Sequence, residues 1–468
     1  MDEYGFGSRG PGVQLLQLGL SRAGYQPGRI DGSFGRGTEN ALRQFQQAQG
    51  LPATGRSDAA TWQAMMPWLI GTRFVQLRQG DTFWRLSQQY DTSVAAISAA
   101  NPELDPRDLR PGQTVAIPLG FPVVPTGIAF TSQVLELTLT GLLLRYPYLG
   151  SGAIGSSARG LPIWSVSIGE GETQVFYNAA HHANEWITTP VLLAFLEEYC
   201  LALLDGDTLY GYDAAELFRR TTLSIVPMVD PDGVDLVTGY LSSGPWYERA
   251  KQWAENYPAI PFPEGWKANL NGVDLNLQYP AGWEEAKRIK ESMGFTSPAP
   301  RDYVGTAPLT QPEALAVYRH TLQNDFRLTL SYHAQGKLIY WRYLDYLPPR
   351  SEEIAQAMGE ASGYSVEETP SLSGYAGYKD YDLTADEDLD KFKDADEIAD
   401  TARAAMQWAV ASGLVDGKPG DMLDPQAAAT RAEIAAMLRR FIEKYELAQG
   451  IMGWIAPELL EADLGSVG

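Results

Sequence analysis

The chain has 468 residues, 44% of them apolar and 11% aromatic, with 36 lysines and arginines against 58 acidic residues and a formal charge of -22. That length exceeds one ordinary core and calls for several domains, and the apolar content excludes a disordered chain. The acidity disfavours nucleic acid or an anionic membrane as a main partner. A single cysteine, Cys200, rules out an intrachain disulfide and a thiolate metal cluster, and its apolar setting after Val191-Leu192-Leu193-Ala194-Phe195-Leu196 reads as packing. The stretch Met1-Asp2-Glu3-Tyr4-Gly5-Phe6-Gly7 lacks the basic and apolar regions of a signal peptide. No later stretch reaches the ~18 apolar residues of a membrane span.

From 10 to 68, two amphipathic helical patterns, Val13-Gln14-Leu15-Leu16-Gln17-Leu18 and Ala41-Leu42-Arg43-Gln44-Phe45-Gln46, flank Ile30-Asp31-Gly32-Ser33-Phe34-Gly35. The glycines mark helix stops. With Gly50-Leu51-Pro52-Ala53-Thr54-Gly55 following, the order resembles the small helical peptidoglycan-binding domain. From 73 to 118, Phe74-Val75-Gln76-Leu77-Arg78-Gln79-Gly80-Asp81-Thr82, a helical segment, Ala99-Ala100-Asn101-Pro102 and Thr114-Val115-Ala116-Ile117-Pro118 predict two short strands enclosing two helices. This pattern resembles a LysM domain, a βααβ unit, and the resemblance implies N-acetylglucosamine-containing glycan as its ligand.

The segment Phe121-Pro122-Val123-Val124-Pro125 reads as a linker into the largest region, 126 to 381. Strand-like runs at 174–177, 223–229 and 327–332 alternate there with helix-like runs at 189–204, 312–323 and 351–361, which predicts an α/β domain with helices covering a largely buried sheet. After Tyr381 comes the acidic run Asp382-Leu383-Thr384-Ala385-Asp386-Glu387-Asp388. Beyond it, over 390–445, Phe392-Lys393-Asp394-Ala395-Asp396-Glu397-Ile398, Gly413-Leu414-Val415-Asp416-Gly417 and Thr430-Arg431-Ala432-Glu433-Ile434 resemble one S-layer homology repeat, a helical unit that implies a secondary wall polymer as partner.

Chemistry concentrates in Ala180-His181-His182-Ala183-Asn184-Glu185-Trp186, where a strand gives way to a helix, and in Tyr332-His333 at the end of a later strand. His-x-x-Glu offers an imidazole and a carboxylate from one turn, and a third ligand from a distant strand end leaves a position for water, as a hydrolytic zinc requires. Nitrogen ligands with one carboxylate suit Zn²⁺ better than Mg²⁺ or Ca²⁺. Of the four histidines, His181 reads as a neighbour of the ligands and His320 as structural.

In order, His182-Ala183-Asn184-Glu185-Trp186, Asp230-Pro231-Asp232-Gly233, Gly272-Val273-Asp274-Leu275-Asn276 and Tyr332-His333 resemble the zinc carboxypeptidase family. Trp266-Lys267-Ala268-Asn269, the run from Gly272 to Trp283 and His333-Ala334-Gln335-Gly336 are similar to its γ-D-glutamyl-meso-diaminopimelate peptidase branch. The resemblance implies a mixed-sheet α/β domain, zinc held by His182, Glu185 and His333, and substrate contacts at Asn276 and Tyr375. Lys267 stands where the family holds a cation that stabilises the oxyanion, a role open alongside that of a solvent lysine. Digestive members carry an arginine where Leu277 stands and a cation where Asn184 stands, so a γ-linked wall peptide fits this chain better than a C-terminal carboxylate.

The family's general-base glutamate, on a late strand, has no counterpart here: the domain reads as lacking its last strand, and Glu387 and Glu397 read as solvated. Two functions follow. One is a peptidase cutting γ-D-glutamyl-diaminopimelate bonds of peptidoglycan stem peptides with zinc-activated water; the other is a peptidoglycan-binding protein that keeps the zinc site with little or no turnover. Either implies the cell wall, the extracellular space or the sporangium interior.

Overall fold

A computed structural model describes residues 1–343, 350–369, 392–394 and 422–423. The chain divides into two compact units. The first comprises Met1–Leu275, Pro298–Arg301 and Arg319–Gln335, and the second Asn276–Ser297, Asp302–Tyr318 and Gly336–Gly468.

The first unit opens with α1 (Pro11–Arg22), α2 (Arg36–Ala48) and α3 (Ala59–Ile70). Pro11 starts α1 where its missing N–H costs nothing, and Asp58 caps α3 by accepting from the Thr61 N–H. Their inward faces close on Leu16, Leu20, Leu42, Phe45 and Met65, each fully buried. Strand β1 (Thr72–Gln76), α4 (Phe83–Tyr90), α5 (Val94–Ala99) and β2 (Thr114–Pro118) follow, with β1 and β2 antiparallel, so this segment has the βααβ order that the sequence predicts. Its own small core is Leu77, Phe83, Leu86, Ile97, Val115 and Ile117.

The α/β part begins with α6 (Ser132–Arg145), β3 (Gly150–Ser156), β4 (Pro162–Ile168), β5 (Thr173–Ala179), α7 (Thr188–Asp205), the short pair β6 (Thr208–Leu209) and β7 (Tyr212–Asp213), α8 (Ala214–Arg220), β8 (Thr221–Val226), α9 (Pro231–Val237) and α10 (Pro245–Ala254). Beyond them lie α11 (Trp283–Ser292), α12 (Pro312–Leu322), β9 (Phe326–Tyr332), β10 (Leu338–Tyr340), α13 (Ser351–Ser362) and β11 (Ser365–Glu367). One mixed sheet runs β3-β4-β8-β5-β9, with β5 parallel to both β8 and β9. The region from Ala183 to Asp205 is long and apolar enough to cross a membrane by length and composition. Its residues Leu192, Leu193, Leu196 and Cys200 are packed in the core, however, as in a core helix of a globular domain.

The segment 121–125 departs from the linker expectation. Val123 and Val124 are buried in the same apolar cluster as Leu16 of α1, Leu142 of α6 and Leu193 of α7. Local composition signals a linker, while burial is decided by partners distant in sequence.

In the second unit Leu277, Trp283, Ala286 and Val304 form an apolar cluster. Gln278, fully buried, organises the loop after it: Nε2 donates to the Ala307 carbonyl (3.1 Å), and Oε1 accepts from the N–H groups of Thr310 (2.8 Å) and Gln311 (3.0 Å). Strands β10 and β11 pair in parallel. The S-layer-like stretch 390–445 and the expected missing last strand fall almost wholly outside the described residues.

Candidate metal centre

Parallel pairing brings the site together. Ala179 ends β5 opposite Tyr332, which ends β9, so the residues that follow each strand emerge side by side at the carboxyl edge of the sheet. Ala180 then turns the chain with a left-handed φ of 50°, a conformation that costs a non-glycine residue about 1 kcal/mol. Fixed hydrogen bonds hold it: its N–H donates to Thr188 Oγ1 (3.0 Å), its carbonyl accepts from the Asp230 N–H (3.0 Å), and Thr188 Oγ1 donates to the Glu185 carbonyl (2.8 Å).

A single 3-10 turn, Ala183–Glu185, then aims His182 and Glu185 the same way. Two neighbours fix it. The Ala183 N–H donates to the Lys267 carbonyl at 3.1 Å, and α9 presses on the turn at Gly233, where a Cβ would stand 2.7 Å from that of Ala183.

His182, Glu185 and His333 present ligand atoms that all lie within 4.8 Å of one another. Glu185 is the hub: Oε2 is 2.8 Å from His333 Nδ1, and Oε1 is 3.1 Å from both Lys267 Nζ and His182 Nδ1. His182 Nε2 lies 3.3 Å from Asp274 Oδ1. The His182 and His333 ring centroids are 4.9 Å apart, and the His333 side chain keeps 28% of its surface exposed, giving the cluster a side open to solvent.

The donor set fits zinc. His182 Nδ1 is buried without a hydrogen bond, with Glu185 Oε1 3.1 Å away. Its other nitrogen faces a carboxylate, the arrangement that fixes a metal-binding imidazole in orientation. Two nitrogens and one carboxylate are borderline-soft ligands of the kind zinc takes. The charges agree: burial alone would lower the His182 imidazole, but the Asp274 and Glu185 carboxylates push it up to about 9. Burial would likewise raise Glu185, yet the hydrogen bond from His333 and the charge of both imidazoles hold it far below the usual carboxylate range. A pocket that favours positive charge so strongly suits a divalent cation.

Lys267 is only 7% exposed, with its ammonium on Glu185 rather than in water. His181 is buried, its ring centroid 6.4 Å from that of His333. His320 packs against Phe176 and Phe326 and shares a 3.0 Å hydrogen bond with Ser224 Oγ. Asn276 is half-buried in the second unit, next to the core residue Leu277; Tyr375, Glu387 and Glu397 lie outside the described residues. The contact of Asp274 with His182 is absent from the sequence reading. The only trace of it there is the placement of Asp274 inside Gly272-Val273-Asp274-Leu275-Asn276.

This fold and donor set define a metallopeptidase-type α/β domain, and the chain belongs to the zinc carboxypeptidase family, whose profile matches residues 138–417. Profiles of a peptidoglycan-binding domain and a LysM domain match residues 9–65 and 75–118. Among relatives, gamma-D-glutamyl-L-diamino acid endopeptidase 1 of Lysinibacillus sphaericus is 44% identical over 239 residues, which cover 50% of this chain and 58% of that protein. An uncharacterized protein of Bacillus subtilis strain 168, YqgT, is 39% identical over 256 residues, 54% of this chain and 66% of that one. A spore cortex-lytic enzyme of Bacillus cereus is 43% identical over 60 residues, 13% of this chain and 23% of that protein. The chain thus spans less than two thirds of the length of each of these relatives.

Proposed function

We propose that this chain is a cell-wall peptidase that cleaves γ-D-glutamyl-diaminopimelate bonds in peptidoglycan stem peptides. The observation that carries the reading is the cluster of buried His182 and Glu185 with solvent-accessible His333, in a chain that also bears two modules of wall-binding type. The name of the Lysinibacillus relative supports the bond. Zinc, when bound, supplies a Lewis acid and makes water a stronger nucleophile near neutral pH. Asp274 orients His182; His182, Glu185 and His333 would hold the zinc, and Lys267 would offer a buried cation to the carbonyl oxygen that gains charge. Leu277, buried among Trp283, Ala286 and Val304, provides no cation for a substrate's terminal carboxylate, in keeping with a γ-linked internal bond. Partners in this reading are peptidoglycan, its stem peptides and the N-acetylglucosamine glycan; the S-layer-like stretch adds a secondary wall polymer.

A second reading, a wall-binding protein with little turnover, has one observation in its favour. Among the described residues, the two carboxylates at the cluster, Glu185 and Asp274, are both engaged with imidazoles, and neither serves as a separate proton carrier. The test is release of diaminopimelate-containing fragments from purified muropeptides with zinc present, for the parent and for Glu185→Ala. Release by the parent alone establishes the peptidase; no difference between them removes it.

A further inference from the structure

The wall-binding segments are joined to the α/β part by buried polar contacts rather than by free linkers. Glu197 of α7 is 4% exposed and takes the N–H groups of Val123 (2.6 Å) and Val124 (3.0 Å) on its two carboxylate oxygens. Arg145 of α6, 7% exposed, donates from Nη2 to the Gly71 carbonyl (2.8 Å) and the Leu119 carbonyl (2.7 Å). Those two carbonyls flank the βααβ segment, one just before β1 and one just after β2, and the Leu119 N–H closes them on each other through Gly71 at 2.9 Å. Arg145 and Glu197 are themselves 3.7 Å apart. Arg22 of α1 donates to the Pro122 (2.8 Å) and Val123 (3.1 Å) carbonyls.

The two wall-binding segments are held differently. The three-helix segment shares its apolar core with the α/β part, and α6 has a glycine, Gly141, where a Cβ would run into the Ile70 carbonyl and stand 2.6 Å from Val123. The βααβ segment has a separate core. Its seam with α7 contains a cavity of about 290 Å³ lined by Thr92, Ser93, Phe121 and Leu201 as well as the two charged residues. The βααβ segment thus adds no residue to the large apolar cluster. Arg145 ties the carbonyls at its two ends to α6, and Glu197, paired with Arg145, holds the residues that follow, Val123 and Val124, to α7. Neither group has reason to be buried for stability alone, since desolvating a charge costs more than a surface pair returns.

We propose that Arg145 and Glu197 are positioning residues that lock the LysM-type segment at one angle to the metal centre, so that the protein acts on bonds at a set place along a polymeric glycan rather than on any free stem peptide. The inference rests on the peptidase reading for its substrate, but not for its geometry. Tethered sites help each other only when both can be engaged at once, and a rigid tether restricts which bonds qualify.

The test uses the full chain with zinc, comparing the parent with Glu197→Gln and with Arg145→Met. Limited proteolysis at 119–125 and small-angle scattering read the geometry; hydrolysis of intact peptidoglycan and of a soluble γ-D-glutamyl-diaminopimelyl peptide reads the consequence. In both variants cleavage at 119–125 is expected to rise about 10-fold and the scattering radius to grow. The rate on intact peptidoglycan falls about 10-fold, while that on the soluble peptide stays within about 2-fold. Variants as compact and protease-resistant as the parent overturn the lock, and equal loss on both substrates reduces the pair to a structural role. A parent inactive on both substrates defeats the peptidase reading, while proteolysis and scattering still decide the lock.

Discussion

His182 Nε2 lies 3.3 Å from Asp274 Oδ1, with both side chains more than nine-tenths buried. A carboxylate in that position holds the imidazole so that Nδ1, the nitrogen nearer Glu185, is left for a metal. Replacing Asp274 with Ala removes the brace without touching a ligand, and zinc affinity is expected to fall about 10- to 100-fold. Competition with a chelating dye measures it; unchanged affinity would show that Asp274 plays no part in holding the metal.

The same site is braced from behind by Gly233. A Cβ there meets both the Asp230 carboxylate and Ala183, so Gly233→Ala pushes on the turn that carries Glu185. A stability loss of about 1–3 kcal/mol is expected from overpacking. Zinc uptake should weaken as well, because the displaced element is the ligand-bearing turn. Thermal melts with and without zinc separate the two effects: the zinc-induced rise in Tm shrinks in the variant, and an equal rise in both proteins would place the damage elsewhere.

Asp235 yields a pH prediction. It is 1% exposed, and burial pushes its carboxyl up to about 7, against the hydrogen bonds it accepts from the Ser132 N–H (2.9 Å) and Oγ (2.7 Å). Arg159 at 4.0 Å opposes the shift and Asp232 adds to it. Because the folded pKa lies above the unfolded one, the folded state binds the extra proton, and stability falls as pH rises from about 4 through 7. Asp235→Asn abolishes that loss. The variant should exceed the parent at pH 8 by on the order of 3 kcal/mol and lose this advantage near pH 4. Urea melts at the two pH values check it; a pH-independent difference would contradict the assignment.

Cys200 is fully buried in α7, and burial pushes its thiol up to about 12. Since the thiolate is the reactive form, the native protein should not react with a disulfide reagent at pH 8, whereas the denatured chain releases one equivalent. Rapid native labelling would mean that α7 opens readily.

Legibility followed the range of the interactions. Strands β5 and β9 and helix α7 are apolar runs that declare themselves, and the candidate ligands His182, Glu185 and His333 stand next to their ends. Strand β3 does not: Gly150-Ser151-Gly152-Ala153-Ile154-Gly155-Ser156 has a loop's composition and is a strand because β4 pairs with it. Helix α6 carries Gly141 in its interior, a local cost that makes sense only beside the Ile70 carbonyl. The brace of Asp274 on His182, the ion pair of Lys267 with Glu185 and the burial of Val123 and Val124 likewise depend on partners far along the chain, which no local pattern encodes.

The apolar cluster that runs from Leu16 through Val123 to Leu193 also bears on how such a chain is made and remade. During synthesis the first three helices leave the ribosome with an apolar flank whose cover, α6 and α7, has yet to emerge, so they wait partly exposed. A copy cut after 125 keeps that flank bare permanently and is expected to aggregate. Swapping this segment onto another protein would carry the same burden, for what looks in the sequence like an interchangeable accessory is part of the interior.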